Sequence, residues 1–385
     1  MEYFRRISAL TSLLVPAAAL AIVPLRAQQI IHHPKNSDPL EAKWDWAWKE
    51  VASRKLSGGL WIGYGIHRWM SEHSFIGSFG DHSGYRDVSL HELLYGQKES
   101  LILSDEEASV RREAERDLEK RSGRKYAERK VLKGVAILLC YDSGQGEPMQ
   151  PRRIVVCNLS TSVDRQVRPL LWLGSSRDDE SVVFLERMFG DTHSDKMKES
   201  LVFAISLHDS SDQALKFVRD VLAGSESEKV RGSAAFFLSE RDHEVDIPLM
   251  VKVATHDPSQ RVRDQAVFGL SRMESDAAVE ALIDLARHAE RKDVREKAIF
   301  WVSQNASDRV VGTLKDIAFN DDETGAQRQA LFALSRLKNA DGVKELIEIA
   351  KCHRNPQIRR EAMFWLGRSD DPRAFDFLVE MVRRK

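Results

Sequence analysis

The sequence predicts a mainly α protein, with a C-terminal α-solenoid of paired helices behind a small α+β cap. Three observations carry that reading. The segments MKESLVFAIS, VRGSAAFFLS, VRDQAVFGLS, VREKAIFWVS, AQRQALFALS and IRREAMFWLG end their apolar clusters at Ile205, Leu238, Leu270, Val302, Leu334 and Leu366, spaced by 33 and then four times by 32 residues. A nearly fixed period of this length marks a stack of supersecondary units, each burying its apolar face against its neighbours. Residues 28–164 lack the period and hold five of the eight tryptophans, so they form a domain with a core of their own. The first 27 residues fit neither part.

Arg5 and Arg6 precede a nearly uncharged apolar run over residues 7–25, and a polar Gln pair follows, which is the three-part order of a secretory signal. Residues 1–27 are expected to be that signal, cleaved after Ala27, with Ala21 as the second choice. The alternative is an uncleaved anchor, because the run approaches the roughly 20 residues that span a bilayer. Either way the folded part lies outside the cytoplasmic membrane, periplasmic or secreted, or anchored to its outer face. With 58 basic and 59 acidic side chains the formal net charge is -1, and 42% hydrophobic against 30% charged residues excludes disordered and collagen-like classes.

In the cap, EAKWDWAWKEVASRK reads as a helix with Trp44, Trp48, Val51 and Ala52 on one face and Trp46 turned away. Gly58 and Gly59 end it. LWIGYGI and FIGSF read as strands, and VSLHELLYG as a short helix closed by Gly96. A very polar helix follows in LSDEEASVRREAERDLEKRSGRKYAERK, opened by the capping-box pair Ser104 and Glu107. VAILLCYD and RRIVVCNLS read as a β-hairpin that brings Cys140 and Cys157 near one another. Export would permit a disulfide between them, and two reduced, buried thiols are the other reading. Cys352 stays single at a helix end. His32 and His33 are expected to be disordered beside the processed terminus.

Residues 165–385 form the solenoid, about seven helix pairs if RPLLWLG, ending at Leu173, is a weak first member. In VREKAIFWVS, Val294, Ala298, Trp301 and Val302 share one face, and a second helix over residues 308–319 carries Val311, Leu314, Ile317 and Ala318. Ala234, Ala266, Ala298, Ala330 and Ala362 recur where helices must approach closely. Phe203, Phe236, Phe268, Phe300, Phe332 and Phe364 recur two residues before each final anchor. At about 100° per residue Phe300 falls nearly opposite Ala298. These rings either fill the seam between adjacent first helices or form an exposed stripe that recruits a partner, an oligomer mate or the cap.

The run DPSQRVRDQAVFGLSRMESDAAVEALIDLA, echoed around Val294, Ala326 and Ile358, resembles HEAT repeats of the short bacterial type related to the phycobilisome-lyase group. The resemblance covers about residues 165–385. It implies a ladder of Asp and Arg linking units, at Asp257 with Arg263 and at Asp293 with Arg295. The last two units depart, with Gln327 after Ala326 and Asn355 before Arg359. The family serves too many roles to fix a function.

Chemistry is sparse. His67, His73, His82 and His91, with Asp81, match no compact metal-ligand spacing. The His-Glu pairs His91-Glu92 and His243-Glu244 do not continue as HExxH, and they fall in different domains, unlike the pairs that serve repeat-built iron hydroxylases. GxSxG, GxGxxG and a Walker loop are missing from the sequence. Residues 166–385 hold 34 basic and 38 acidic side chains, which argues against a nucleic-acid groove. The expected function is an exported, noncatalytic adaptor or scaffold that binds another protein through the repeat surface, with no cofactor, metal or nucleic acid. Membrane contact is expected only if the N-terminal segment stays uncleaved. The second expectation is an envelope enzyme, or regulator of one, with a site between Trp61 and His91.

Overall fold

The stretch LWIGYGIHRWMS organises the N-terminal part of the molecule. In the computed structural model, which describes residues 30–56, 59–71, 74–77, 88–96, 130–142, 150–163, 169–208, 211–304, 308–337 and 341–383, it is one strand, β2 (Leu60–Ser71). Its first seven residues are buried, so the strand reads as continuously apolar because both faces are covered. β4 (Lys130–Tyr141) pairs antiparallel along its whole length, from Leu60 opposite Tyr141 to Ser71 opposite Lys130, and β5 (Arg153–Asn158) extends the sheet beyond β4. On the other side β7 (Leu170–Ser175) and β1 (Ile30–His32) join in parallel, giving the order β1-β7-β2-β4-β5. A two-stranded sheet pairs β3 (Val88–Ser89) with β6 (Ser162–Val163).

Glycines inside β2 make room for its neighbours. A Cβ at Gly63 would stand 2.4 Å from Leu138 Cδ2, and one at Gly65 would meet the Trp172 ring at 3.4 Å. One face of the sheet packs Trp61, Leu138 and Trp172 against Leu90 and Leu94 of α2 (Leu90–Tyr95), which Gly96 closes at φ 72°. The aromatic residues of α1 (Leu40–Ser53) and α3 (Asp178–Asp191) gather around Tyr64 and Tyr141. Trp44 lies 4.6 Å from Phe184, and Trp48 stands edge-on to Tyr141 at 4.9 Å. Trp46 points elsewhere, as the helical wheel predicts, and meets the His33 ring edge-on at 4.7 Å.

Three expectations are corrected here. RPLLWLG is not a first repeat: its LLWLG becomes β7, held between β1 and β2, so the cap sheet runs past residue 164 to Ser175. A run this short has the same apolar pattern in a strand as in a buried helix, and pairing decides between them. His32 and His33 are ordered, because residues 30–32 pair with Leu170, Leu171 and Trp172 and the His33 amide donates to the Trp172 carbonyl. The part of FIGSF that is described, Phe75 to Gly77, is not a strand. The N-terminal signal, the polar helix opened by Ser104, and His73, Asp81 and His82 lie outside the described residues. Among the described residues no helix is long and apolar enough to cross a membrane.

After α4 (Asp195–Ser206) the chain divides within α5 (Asp212–Ala223) into two compact units, 1–214 and 215–385. The second unit is a regular array. First helices α6 (Glu228–Ser239), α8 (Gln260–Arg272), α10 (Lys292–Val302), α12 (Thr324–Arg336) and α14 (Pro356–Leu366) stack one on the next. Second helices α7 (Ile247–His256), α9 (Asp276–His288), α11 (Asp308–Asn320), α13 (Asp341–Cys352) and α15 (Pro372–Arg383) form a second row. Ala234, Ala266, Ala298, Ala330 and Ala362 all have 0% exposure, as close helix approach requires. The protein is thus a mainly α array of paired helices with an N-terminal β/α cap.

Candidate interaction surface

The first helices α4, α6, α8, α10 and α12 end in the same way. The hydroxyls of Ser206, Ser239, Ser271, Ser303 and Ser335 donate to the carbonyls of Phe203, Phe236, Phe268, Phe300 and Phe332 at 2.6–2.7 Å. A hydroxyl bonding back to a carbonyl three residues earlier satisfies a group that the ending helix leaves open. It also fixes the backbone that carries the phenylalanine. The first five of these rings are half-buried, and Phe364, in the last first helix, is 55% exposed.

The residue after each phenylalanine alternates in size: Phe237, Gly269, Trp301, Ala333, Trp365. That alternation decides which ring meets an aromatic side chain of the next unit. Trp301 reaches back one unit to Phe268 at 4.9 Å, and Trp365 reaches back to Phe332 at 5.2 Å. Phe236 stacks on Phe268 with centroids 6.5 Å apart. Phe300 is followed one unit later by the small Ala333, and its recorded ring contact is to Trp301 of its own helix at 5.0 Å. Phe364 likewise touches Trp365 of its own helix at 5.1 Å. Trp301 and Trp365 thus close the seam over Phe268 and Phe332, and of the six rings Phe364 is the exposed one. Ion pairs between adjacent units flank the row: Arg272 with Glu240 at 2.7 Å, Lys297 with Asp264 at 3.3 Å and Arg328 with Glu361 at 2.6 Å.

The array also carries the Asp–Arg ladder, in a stagger the sequence reading did not anticipate. Arg231 holds Asp257 through two hydrogen bonds of 2.8 and 2.9 Å, Arg263 holds Asp293, and Arg295 stands 3.7 Å from Asp321. Each arginine reaches forward to the next unit, so Asp257 does not pair with Arg263, nor Asp293 with Arg295. The same arginines cap the second helix before them: Arg263, Arg295 and Arg359 donate to the carbonyls of Asp257, Ala289 and His353, and Gln327 donates to that of Asp321. Burial works against ionisation of Asp293, but hydrogen bonds from Arg263 and the charges of Arg263 and Arg291 outweigh it and hold the carboxyl below the usual range.

The other candidate residues separate. β4 places Ala136, not Cys140, opposite Cys157. Four residues along a strand are about 13 Å, beyond the roughly 7 Å that a disulfide tolerates between Cα atoms. The bridge is therefore excluded, and both residues are buried thiols. Burial pushes the Cys157 thiol up to about 12. His67 lies exposed on β2 and the His91 ring lies tilted against Tyr95 at 4.9 Å. Among the described residues no three His, Cys, Asp or Glu side chains gather as metal ligands.

Two buried polar features of the first unit escaped the sequence reading. Ser181 Oγ lies 2.8 Å from both Tyr64 Oη and His208 Nε2, and all three residues have 0% exposure. His208 Nδ1 faces the Ile205 carbonyl at 3.1 Å, so Nδ1 carries the proton and Nε2 accepts from Ser181. This resembles a hydrolytic Ser–His pair in distance, yet no solvent reaches it. It ties β2, α3 and the end of α4 together. Lys43, only 1% exposed, donates from Nζ to the Ser175 carbonyl at 2.8 Å. Burial lowers its pKa while Glu180 and Asp38 act to raise it. Neither feature has a periodic signal.

The geometry agrees with comparison to known proteins. A family model described as HEAT repeats matches residues 208–302 and 311–385. No curated protein matches the sequence. Similar solved structures include human deoxyhypusine hydroxylase in complex with glycerol, 17% identical over 52% of this chain and 77% of that one, with a TM-score of 0.24. Escherichia coli YibA is 16% identical over 54% and 77%, with a TM-score of 0.33. The CpcE and CpcF complex of phycocyanin lyase from Nostoc is 14% identical over 50% and 76%, with a TM-score of 0.30. At these scores none of the three transfers an activity or partner. The repeated part of the chain has a HEAT-repeat, α-solenoid fold, which is generically suited to binding proteins.

Proposed function

We propose that this chain is an exported, noncatalytic adaptor or scaffold that holds another protein against its repeats. The observation supporting this reading is the aromatic row itself, which is half-buried from Phe203 to Phe332 and exposed at Phe364, with Phe300 and Phe364 meeting only the tryptophan of their own helix among the ring contacts of the described residues. Rings at one register, two repeats apart and rimmed by charge, suit an extended or helical segment laid across several hairpins. Export rests on the N-terminal run behind Arg5 and Arg6.

Two double variants test it. Phe300→Ser with Phe364→Ser should leave the thermal midpoint nearly unchanged and abolish capture of a reproducible partner from envelope extracts. Phe268→Ser with Phe332→Ser should cost about 2–4 kcal/mol in chemical denaturation, because it opens the seam. Unaltered capture by the first variant would remove the surface from the account. Export is checked separately by mass spectrometry of the envelope-associated protein, expected to begin at Gln28; a full-length cytoplasmic protein would end that part of the proposal.

A further inference from the structure

The first helices of the array meet through two kinds of junction that alternate. α8 and α10 are joined by Trp301 against Phe268 and by Asp264 with Lys297 at 3.3 Å, and α12 and α14 by Trp365 against Phe332 and by Arg328 with Glu361 at 2.6 Å. Arg328 follows Asp264, and Glu361 follows Lys297, by 64 residues. At the α6–α8 and α10–α12 junctions the equivalent positions are Gly232 with Gln265 and Glu296 with Gln329, which cannot form an ion pair. There the place of the tryptophan is taken by Gly269 and Ala333. A Cβ on Gly269 would lie 3.1 Å from Ser239 Cβ, so α6 and α8 approach closely. The helix ends alternate too. Met273 and Leu337, after α8 and α12, are extended, whereas Glu240, Ser303 and Gly367, after α6, α10 and α14, stay in the αR region. The structural period is therefore two hairpins.

Such a period makes the two tryptophan junctions near-equivalent. The surface that α8 turns toward α10 is matched in its rings by α14 as well as by α10, since both carry a Phe–Trp pair. The ion pairs break that equivalence, because their polarity is reversed. The acid lies on α8 and the base on α10, but the base lies on α12 and the acid on α14. If α8 met α14 in this way, Asp264 would face Glu361; if α12 met α10, Arg328 would face Lys297. All four side chains are partly exposed, so each pair adds little stability. Charge at such a contact discriminates between partners more than it strengthens any one of them.

We infer that these two ion pairs set the order in which the hairpins stack, admitting the native neighbour at each tryptophan junction and repelling the equivalent helix two hairpins away. Within one chain that prevents a skipped unit, and between two copies of the chain it prevents a domain-swapped dimer. The device is independent of the partner surface proposed above and persists if that proposal fails.

Refolding the purified full chain from urea at about 50 µM, where swapped species compete with the monomer, tests it by size-exclusion chromatography with light scattering. Asp264→Arg with Lys297→Glu gives both junctions the same polarity. One surface pair replaces another, so the thermal midpoint should hold, while the dimer fraction should rise at least about fivefold over wild type. Adding Arg328→Glu and Glu361→Arg makes the polarities opposite again and should return the dimer to the wild-type level. Equal dimer fractions in wild type and the first variant, or a raised fraction that the second pair of substitutions does not lower, would each overturn the inference.

Discussion

The cap and the repeat array solve the same packing problem over different sequence distances. Trp61 in the cap sheet pairs with Cys140 on one side and Leu170 on the other, whereas Arg231 in the array pairs with Asp257, one unit on. A sheet assembled largely from distant segments is cooperative as a whole, because apart from β4 with β5 its strands pair across long stretches of chain. An array of hairpins is cooperative between neighbours. The contrast predicts how damage spreads.

The largest effects should show that difference directly. Ala298→Glu forces a charge into a helix contact with 0% exposure and should cost more than about 4 kcal/mol. In hydrogen exchange its loss of protection should be greatest in α8, α10 and α12 and fade toward α15. Gly63→Val places a side chain on Leu138, where even a Cβ would sit at 2.4 Å, and should strip protection from β1, β2, β4, β5 and β7 together. A uniform loss over the array in the first variant, or a loss confined to β2 and β4 in the second, would break the comparison.

A middle-sized effect separates the kinds of polar contact the two regions bury. Arg263→Met in the array removes the main partner of Asp293 and should cost about 2–3 kcal/mol near neutral pH. Because the folded carboxyl of Asp293 titrates below its unfolded value, the stabilisation from the pair is present above about pH 4 and is lost as pH falls through the depressed pKa. The gap between variant and wild type should therefore narrow on acidification, as read from urea midpoints. A gap that stays constant down to about pH 2 would mean the pair acts by packing alone.

The same contrast explains what the sequence could reveal. The first helices and their alanines are legible because one packing requirement recurs every 32 residues, so each unit checks the others. The serine three residues after each of the first five phenylalanines was equally open to that comparison, and so was the alternation of Gly269, Trp301, Ala333 and Trp365. The stagger of the ladder was not, because it depends on which neighbouring unit a long arginine reaches. In the cap, Tyr64, Ser181 and His208 meet from three distant places with no shared spacing. LLWLG is too short for its periodicity to tell strand from helix.

The smallest net effect concerns the fourth rung of the ladder, where both members have changed. His353 occupies the position of Asp257 and Asp321, and Gln327 that of Arg263 and Arg295. The replacements keep the backbone duties of the originals. His353 Nδ1 accepts from the Asn355 amide at 3.0 Å, as Asp257 and Asp321 accept from Ser259 and Glu323 at 2.8 Å, while Gln327 still caps the Asp321 carbonyl. What is lost is the carboxylate–guanidinium pair, and His353 Nε2 is left buried without a hydrogen-bond partner among the described residues. Gln327→Arg alone would add a buried cation with no carboxylate to hold, and His353→Asp alone a buried carboxylate facing an amide, so each should destabilise by about 1–2 kcal/mol. Together they rebuild the pair found at Arg231 and Asp257, and the double variant should return to within about 0.5 kcal/mol of wild type. The quantity to measure is the coupling in a double-mutant cycle of urea midpoints, expected at about 2–3 kcal/mol. Strict additivity would mean that Gln327 and His353 do not face one another as the other rungs do, and that the array changes its packing before its last unit.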